Sequence, residues 1–420
     1  MKMKKAGIVC EFNPFTQGHE YLISEARRAG AETVVCLMSG LFVQRGEPAF
    51  LPPSFRAAAA VGRGADAVFL LPPPFSFAGA GYFASAGVGI LARLGCDAVV
   101  FGSETGDIES LRSLSVNRDA GRGHSADGIA ETFFDGAAAG PNDILAAEYI
   151  RAAAAYPGLE TVAVKRIGGG YCDTGSNNGY PSAAQVRREL SKLLKARAGE
   201  AGDDRGAGLP HSPGQAAFAG PPGETTFAEF PEGESSAEKV YGIPRESFGQ
   251  IAKACSEGLC PADSDKAGEL IRAAWRMGDA DRLSSCAECG GGLSAHLKRA
   301  TLRSSDNASF EASVSTKKYT RSRIRRAMLC GALGIPAAAL SSEPAYTRLL
   351  AANAGGRRFA GEAQAAGQIG VVTRVSDIPD SPGAKLQFDC ECRTSAFYSM
   401  LLPRPLPADF FIKQPPVITQ

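Results

Sequence analysis

A chain of 420 residues, 44% hydrophobic and 21% charged, has the make-up of a globular protein with two or more domains, which excludes a disordered or fibrous one. A net charge of +1 excludes a chain-wide polycation, so contact with nucleic acid must come from a local basic patch. No apolar run reaches the roughly eighteen residues of a membrane span, and eleven scattered cysteines argue for reduced thiols.

The opening Met-Lys-Met-Lys-Lys leads straight into an apolar run without the pattern of a signal peptide, so a cytoplasmic location and no membrane contact are expected. That first strand is expected over 7–12, then a tight loop and a helix over 19–30 with Leu22, Ile23, Ala26 and Ala29 on one face. Further β-rich runs at Thr33–Met38, Ala67–Leu71, Ala98–Phe101 and Thr161–Val164 alternate with helical stretches near 54–64, 81–95, 142–155 and 182–195. Continuous apolar strands separated by helices predict an α/β fold, a Rossmann-like parallel sheet with helices on both faces, over residues 1–195. Residues 196–240, rich in Gly, Pro, Ala, Ser and acidic residues, are expected to form a low-complexity mobile insertion. Residues 241–420 are expected to form a mainly α-helical domain, with the clearest helix over Thr316–Leu333.

Ligands of such sheets bind outside the carboxyl ends of the strands. The polar clusters of this half collect there: Asn13–His19 after the first strand, Ser39-Gly40 after the second, Gly102-Ser103-Glu104 after the fourth, and Lys165–Gly170 after the last. Glu11-Phe12-Asn13-Pro14-Phe15-Thr16-Gln17-Gly18-His19 is the most informative of them. It places Thr16 and His19 at a helix N-terminus, where unpaired N–H groups and the macrodipole favour a phosphate. Gly18 lets the backbone approach the ligand and His19 adds a side-chain donor. A polar helix cap is the plainer reading of the tetrapeptide alone. In its strand–loop–helix context the segment reads as a triphosphate cradle.

The block Met38-Ser39-Gly40-Leu41-Phe42-Val43-Gln44-Arg45-Gly46-Glu47-Pro48-Ala49 is long and specific, and it accompanies Gly7–His19, Gly64-Ala65-Asp66, Leu94-Gly95-Cys96-Asp97 and Phe101–Glu104. Pro141–Leu145, Lys165–Gly168, Tyr171-Cys172-Asp173 and the basic stretch Thr316–Arg326 complete the set. Together these segments resemble the bacterial tRNA(Met) cytidine acetate ligase family, a branch of the nucleotidyltransferase-like fold. The resemblance implies an ATP-dependent ligase that activates acetate as acetyl-adenylate. It then passes the acetyl group to N4 of the wobble cytidine of elongator tRNA(Met).

By the same resemblance, His19 and Thr16 are the catalytic donors. ATP would lie on Gly7, Ile8, Val9, Cys10, Glu11, Phe12, Asn13, Pro14, Phe15, Thr16, Gln17, Gly18, His19 and Glu20, with Gly102, Asn142, Arg166 and Ile167. Mg²⁺ is expected with the triphosphate, held mainly by phosphate and water. Lys317, Lys318, Arg321, Arg325 and Arg326 would contact tRNA phosphates, with a solvated helix face as the alternative. Thr16 departs from the usual His of the family, which implies a slower enzyme; Ser182 and Arg187 keep a later signature that loses its Thr.

Two other functions stand beside this one: a nucleotidyltransferase for a small acceptor, and a non-catalytic RNA-binding relative. Cys286-Ala-Glu-Cys289 and Cys390-Glu-Cys392 lack the joint spacing of a zinc knuckle, and no resident metal is expected.

Overall fold

The structure, a computed structural model, describes residues 3–120, 140–167, 180–203, 242–314 and 319–419. Strands β1 (Lys5–Cys10), β2 (Thr33–Ser39), β3 (Ala67–Leu71), β4 (Ala98–Ser103) and β5 (Glu160–Lys165) alternate with helices α1 (Gln17–Arg28), α2 (Pro53–Gly62), α3 (Ala80–Arg93), α4 (Ile108–Ala120) and α5 (Pro141–Ala153). Helix α6 (Ala183–Asp203) follows. Beyond residue 241 come α7 (Arg245–Ser256), α8 (Ser264–Met277), α9 (Ala280–Ser284), α10 (Leu293–Arg303), α11 (Asn307–Val314), α12 (Arg321–Leu333) and α13 (Ala338–Ser341). The chain closes with β6 (Tyr346–Ala352), α14 (Ala354–Ala366), β7 (Gly370–Val372), α15 (Pro382–Ser399) and β8 (Val417–Ile418).

One sheet runs through the molecule in the order β5-β4-β1-β2-β3-β6-β7, with β8 beside β6. Its strands are parallel except where β6 meets β3. Both faces of the central strands β2, β3 and β4 are buried, which is why those strands are continuously apolar. Ile8, Cys36, Val68 and Val100 point into one core with Ile23 of α1 and Ala60 of α2. Their neighbours Leu37, Phe69 and Val99 point into the other, with Leu91 of α3 and Tyr149 of α5. Helix α3 lies close on β1 because glycines face side chains there. A Cβ on Gly7 would stand 2.8 Å from Leu91, and one on Gly87 2.9 Å from Val9.

The chain leaves β1 on one side for β2 and β3 and returns on the other for β4 and β5. The crevice between β1 and β4 is therefore the topological switch point, where open α/β sheets bind ligands.

Three features differ from the sequence expectation. The stretch beyond 241 adds β6, β7 and β8 to the sheet, so the sheet draws strands from both sides of residues 196–240. Tyr346–Ala352, interrupted by Thr347 and Arg348, is a short run with no regular alternation, a pattern that does not separate strand from buried helix. Residues 196–203, expected in the insertion, continue α6 as helix, in keeping with the helix-forming Ala196, Ala198, Glu200 and Ala201; residues 204–241 lie outside those described. Helix α12 starts at Arg321, not Thr316, because Thr320 caps it and accepts the Arg323 N–H.

Helices α8 to α12 gather around Trp275, which is fully buried and donates to the Met328 carbonyl at 2.7 Å. Other bonds join α7, the residues just before it and α15 to the amino-terminal half. Ser247 donates to Phe15 O at 2.8 Å, the Gln17 N–H to Gly242 O at 2.9 Å, and Tyr398 to Ala49 O at 2.7 Å.

Candidate active site

After Cys10 the backbone turns sharply through Phe12, which holds φ of +46°, and enters α1 with Thr16 as its N-cap. The Phe12 and Phe15 rings pack on the His19 imidazole, with centroids 5.1 and 5.8 Å away. The Thr16 N–H donates to His19 Nδ1 at 3.0 Å, and Thr16 Oγ1 lies 3.0 Å from the same nitrogen. A backbone N–H can only donate, so Nδ1 is the acceptor and the imidazole proton sits on Nε2. Burial, then the nearby Arg166 cation, lower the His19 pKa to about 3. The ring is thus neutral near pH 7, and its one donor, Nε2–H, has no partner among the described residues and is left for a ligand. Among the described residues a Cβ on Gly18 would meet only Thr16 Oγ1, at 3.8 Å, so none of them crowds that side of the first turn.

These residues line a cleft of about 930 Å³ at the carboxyl ends of the strands. Val9, Cys10, Glu11, Phe12, Thr16, Gly18, His19, Gly102, Asn142, Arg166 and Ile167 all reach it. Gly7, Ile8, Asn13, Pro14, Phe15, Gln17 and Glu20 are not on its wall. Gly7 and Ile8 pack inside β1. Asn13 Oδ1 accepts the Phe50 N–H at 2.8 Å, and Glu20 pairs with Arg63 at 2.5 Å. They support the loop from behind.

The Arg166 side chain lies across Gly102, its Cγ 3.4 Å from where a Cβ would stand. Glu104 caps α5: it accepts the Asn142 side-chain amide at 2.6 Å and the Asp143 N–H at 2.8 Å. The N-terminus of α5 therefore already carries a carboxylate, as its dipole favours. Asp143, nearly fully buried, accepts the Ser103 hydroxyl at 2.5 Å and the Glu104 N–H at 2.8 Å, and so holds the end of β4 against α5. Nothing in its sequence setting marked it for that role.

Arg56 is a second supporting residue that sequence reasoning missed. It is 1% exposed and donates to the carbonyls of Leu51 at 3.0 Å, Glu11 at 2.6 Å, Ser39 at 3.0 Å, and Gly40. It clamps the ends of β1 and β2 together. Burial lowers its pKa to about 10, so it remains a cation at neutral pH. Arg187 of α6 donates to Asn13 O at 2.6 Å, tying α6 to the same loop.

The basic stretch divides. Lys317 and Lys318 lie outside the described residues, and Arg321 is exposed at the start of α12. Arg325 pairs with Glu47, and with Glu311 at 3.3 Å. Glu47 Oε2 is also 3.8 Å from Arg187, so Glu47 bridges α6 and α12. Arg326 is 8% exposed and faces the cleft, beside Glu288 at 3.4 Å. Of the residues expected to contact tRNA phosphates, Arg321 is thus exposed, Arg325 is held by carboxylates and Arg326 is turned into the cleft. Helical periodicity located the face but not the carboxylates opposite it. Tyr319 donates to Gly291 O at 3.1 Å and lies under the Arg323 guanidinium, 5.4 Å from its centroid.

A neutral histidine donor on a capped helix N-terminus, with a cation opposite, at the switch point of a parallel sheet, defines a nucleotidyl-transferring site. The family model described as HIGH nucleotidyl transferase matches residues 3–409, and the chain belongs to that family. The protein named tRNA(Met) cytidine acetate ligase from Syntrophotalea carbinolica is 30% identical, over 96% of this chain and 95% of its own length. Its namesake from Acetivibrio thermocellus is 25% identical over 96% of each chain. Within the wider family, the chain is a member of these ligases. The crystal structure of apo TmcAL from Thermotoga maritima superposes with a TM-score of 0.78 at 24% identity, covering 99% of this chain and 100% of that one. The form of that protein bound with alpha-thio ATP gives 0.76. Among the described residues, no helix is long and apolar enough to cross a membrane.

Proposed function

We propose that the protein activates acetate with ATP and transfers the acetyl group to N4 of the wobble cytidine of elongator tRNA(Met). The observation that carries this reading is a single cleft, walled on one side by the β1–α1 loop with His19 and on the other by Arg323 and Arg326 of α12. A nucleotide and an acceptor base can meet inside it.

In the first step a carboxylate oxygen of acetate attacks the α-phosphorus of ATP. The bond to the β-phosphate oxygen breaks and pyrophosphate leaves. Charge grows on the phosphate oxygens, and fixed donors lower that barrier because they need no reorganisation. His19 Nε2–H, the Gly18 N–H in the first turn of α1 and the Arg166 guanidinium supply such donors, the Gln17 and His19 N–H groups being taken by Gly242 O and Thr16 O. Thr16 acts through its bond to Nδ1, which holds the imidazole in the donating tautomer. In the second step N4 attacks the acetyl carbonyl carbon, the bond to AMP breaks, and one N4 proton is lost.

Each carboxylate lining the cleft among the described residues already has a protein partner through at least one oxygen. Glu11 accepts the Gln44 N–H at 2.9 Å, Glu47 holds Arg325, and Glu288 accepts the Gly79 N–H at 2.7 Å. Burial also pushes the Glu11 carboxyl above its ordinary value. Mg²⁺ would therefore arrive on the triphosphate, held by phosphate and water, and no step here is routed through it. Arg321, with Lys317 and Lys318, would add tRNA phosphate contacts.

The test is acetate-dependent pyrophosphate release from ATP, with and without tRNA, and detection of acetylcytidine by mass spectrometry. Release with acetylation is expected. Release without it assigns another acceptor, and no release removes the reading.

A further inference from the structure

Four arginines are buried among the described residues: Arg56, Arg272, Arg326 and Arg348. Three commit their donors to protein acceptors. Arg56 holds backbone carbonyls. Arg272 bonds Asn307 Oδ1 at 2.8 Å and Ser305 O at 3.3 Å, and Arg348 bonds Glu391 at 3.3 Å and Ile412 O at 2.5 Å. Arg326 differs. Glu288 Oε1, 3.4 Å from its Nε, is its ion-pair partner, yet Nε is buried without a hydrogen bond and the other donors meet no acceptor among the described residues. A guanidinium carries five donors; the buried Nε is costly to leave unmet, while the Nη groups are not among the buried atoms and open on the cleft. Arg326 and Glu288 both line the cleft, so the Nη donors are placed to meet a ligand there.

Glu288 shows the same preparation. It holds φ of +63°, a conformation L residues seldom adopt and one that persists where its surroundings enforce it. The buried thiols on either side anchor it, Cys286 Sγ donating to Arg282 O at 3.2 Å and Cys289 Sγ to Ala327 O at 3.4 Å. Its Oε1 accepts the Gly79 N–H, which leaves Oε2 without a partner among the described residues. The cleft wall thus offers guanidinium donors beside a carboxylate acceptor. A small carboxylate or a phosphate presents acceptors and negative charge, and Glu288 would repel either. A cytosine presents acceptors at O2 and N3 beside a donor at N4, all on one edge.

We propose that Arg326 and Glu288 read the acceptor cytosine: the guanidinium donates to N3 and O2, and Oε2 accepts from N4–H. This inference rests on the ligase reading above and adds the residues that select the base. Uridine, with N3–H and O4 in place of N3 and N4–H₂, presents the wrong pattern to both.

The test measures binding of the full chain to two anticodon stem-loop RNAs, by fluorescence anisotropy without ATP or acetate. The two RNAs differ only in cytidine or uridine at the target position. The wild type should prefer cytidine about 10-fold or more. Glu288→Gln, which turns an acceptor into a donor, should cut the preference below about twofold or invert it. Arg326→Met should weaken cytidine binding about 10-fold, and a thermal midpoint near wild type confirms that each variant folds. An unchanged preference in Glu288→Gln overturns the inference. So does an Arg326→Met protein that keeps the preference but needs more acetate for pyrophosphate release. A wild type without preference also overturns it, and the acetylcytidine assay then decides separately whether the ligase reading stands.

Discussion

Replacing His19 separates a structural from a chemical contribution. His19→Ala removes the acceptor that holds the Thr16 N–H at 3.0 Å, and with it the Nε2–H donor. The first loss resembles removal of a helix cap and costs about 1 kcal/mol. The second removes one fixed donor from a developing phosphate charge, worth about 100- to 1,000-fold in rate. His19→Asn distinguishes the two. The amide oxygen of Asn stands where Nδ1 stands, one bond from Cγ, so it can accept the Thr16 N–H. Its amide nitrogen falls a ring atom short of Nε2. We expect His19→Asn to keep a thermal midpoint near wild type, while His19→Ala loses about one degree. Both should lose at least 100-fold in acetate-dependent pyrophosphate release. Full release in His19→Asn would refute the assignment of Nε2–H as the phosphate donor. A rate loss that merely followed the fall in thermal midpoint would refute it equally.

The same histidine sets a pH dependence. Its folded pKa, about 3, lies below the unfolded value near 6.5, so its stabilising contribution is complete above pH 6.5 and is lost as pH falls toward 3. At pH 5.5 the loss is about 1 kcal/mol, and urea denaturation at pH 7.5 and 5.5 should show a smaller drop in His19→Asn than in wild type; equal drops would contradict the neutral imidazole. Arg56→Met strips the partner from the carbonyls at the ends of β1 and β2 and should destabilise the fold by about 4 kcal/mol, read as a lower urea midpoint. A midpoint at the wild-type value would refute the clamp. Asp143→Ala leaves the Ser103 hydroxyl and the Glu104 N–H without their acceptor; it should cost roughly 3 kcal/mol and weaken ATP binding by loosening the β4 end. Unchanged ATP affinity by calorimetry would place that strand end outside the site.

Local sequence decided much of this protein. The alternation of short apolar runs with amphipathic stretches determined the parallel half of the sheet, because burial on both faces leaves no polar position in such strands. The order strand, Asn13–His19, helix determined that a capped N-terminus would carry His19, since cap, glycine and histidine are all within one turn. The long blocks Met38–Ala49 and Thr316–Arg326 carried the family resemblance.

Tertiary structure decided what depends on distant partners. Tyr346–Ala352 became a strand because β3 offered an open edge, a fact residing some 280 residues away in Val68 and its neighbours. Glu104 became the cap of α5, and Arg56 the clamp of four carbonyls, only when the strand ends converged. The basic stretch of α12 shows the division most directly. Its charges are plain in the sequence, yet Arg325 is neutralised by Glu47 and Arg326 is turned inward beside Glu288. Periodicity places a side chain on a face of its own helix; what that face meets is set by the packing of elements far apart in the chain, and charge has its chemical meaning only from what it meets.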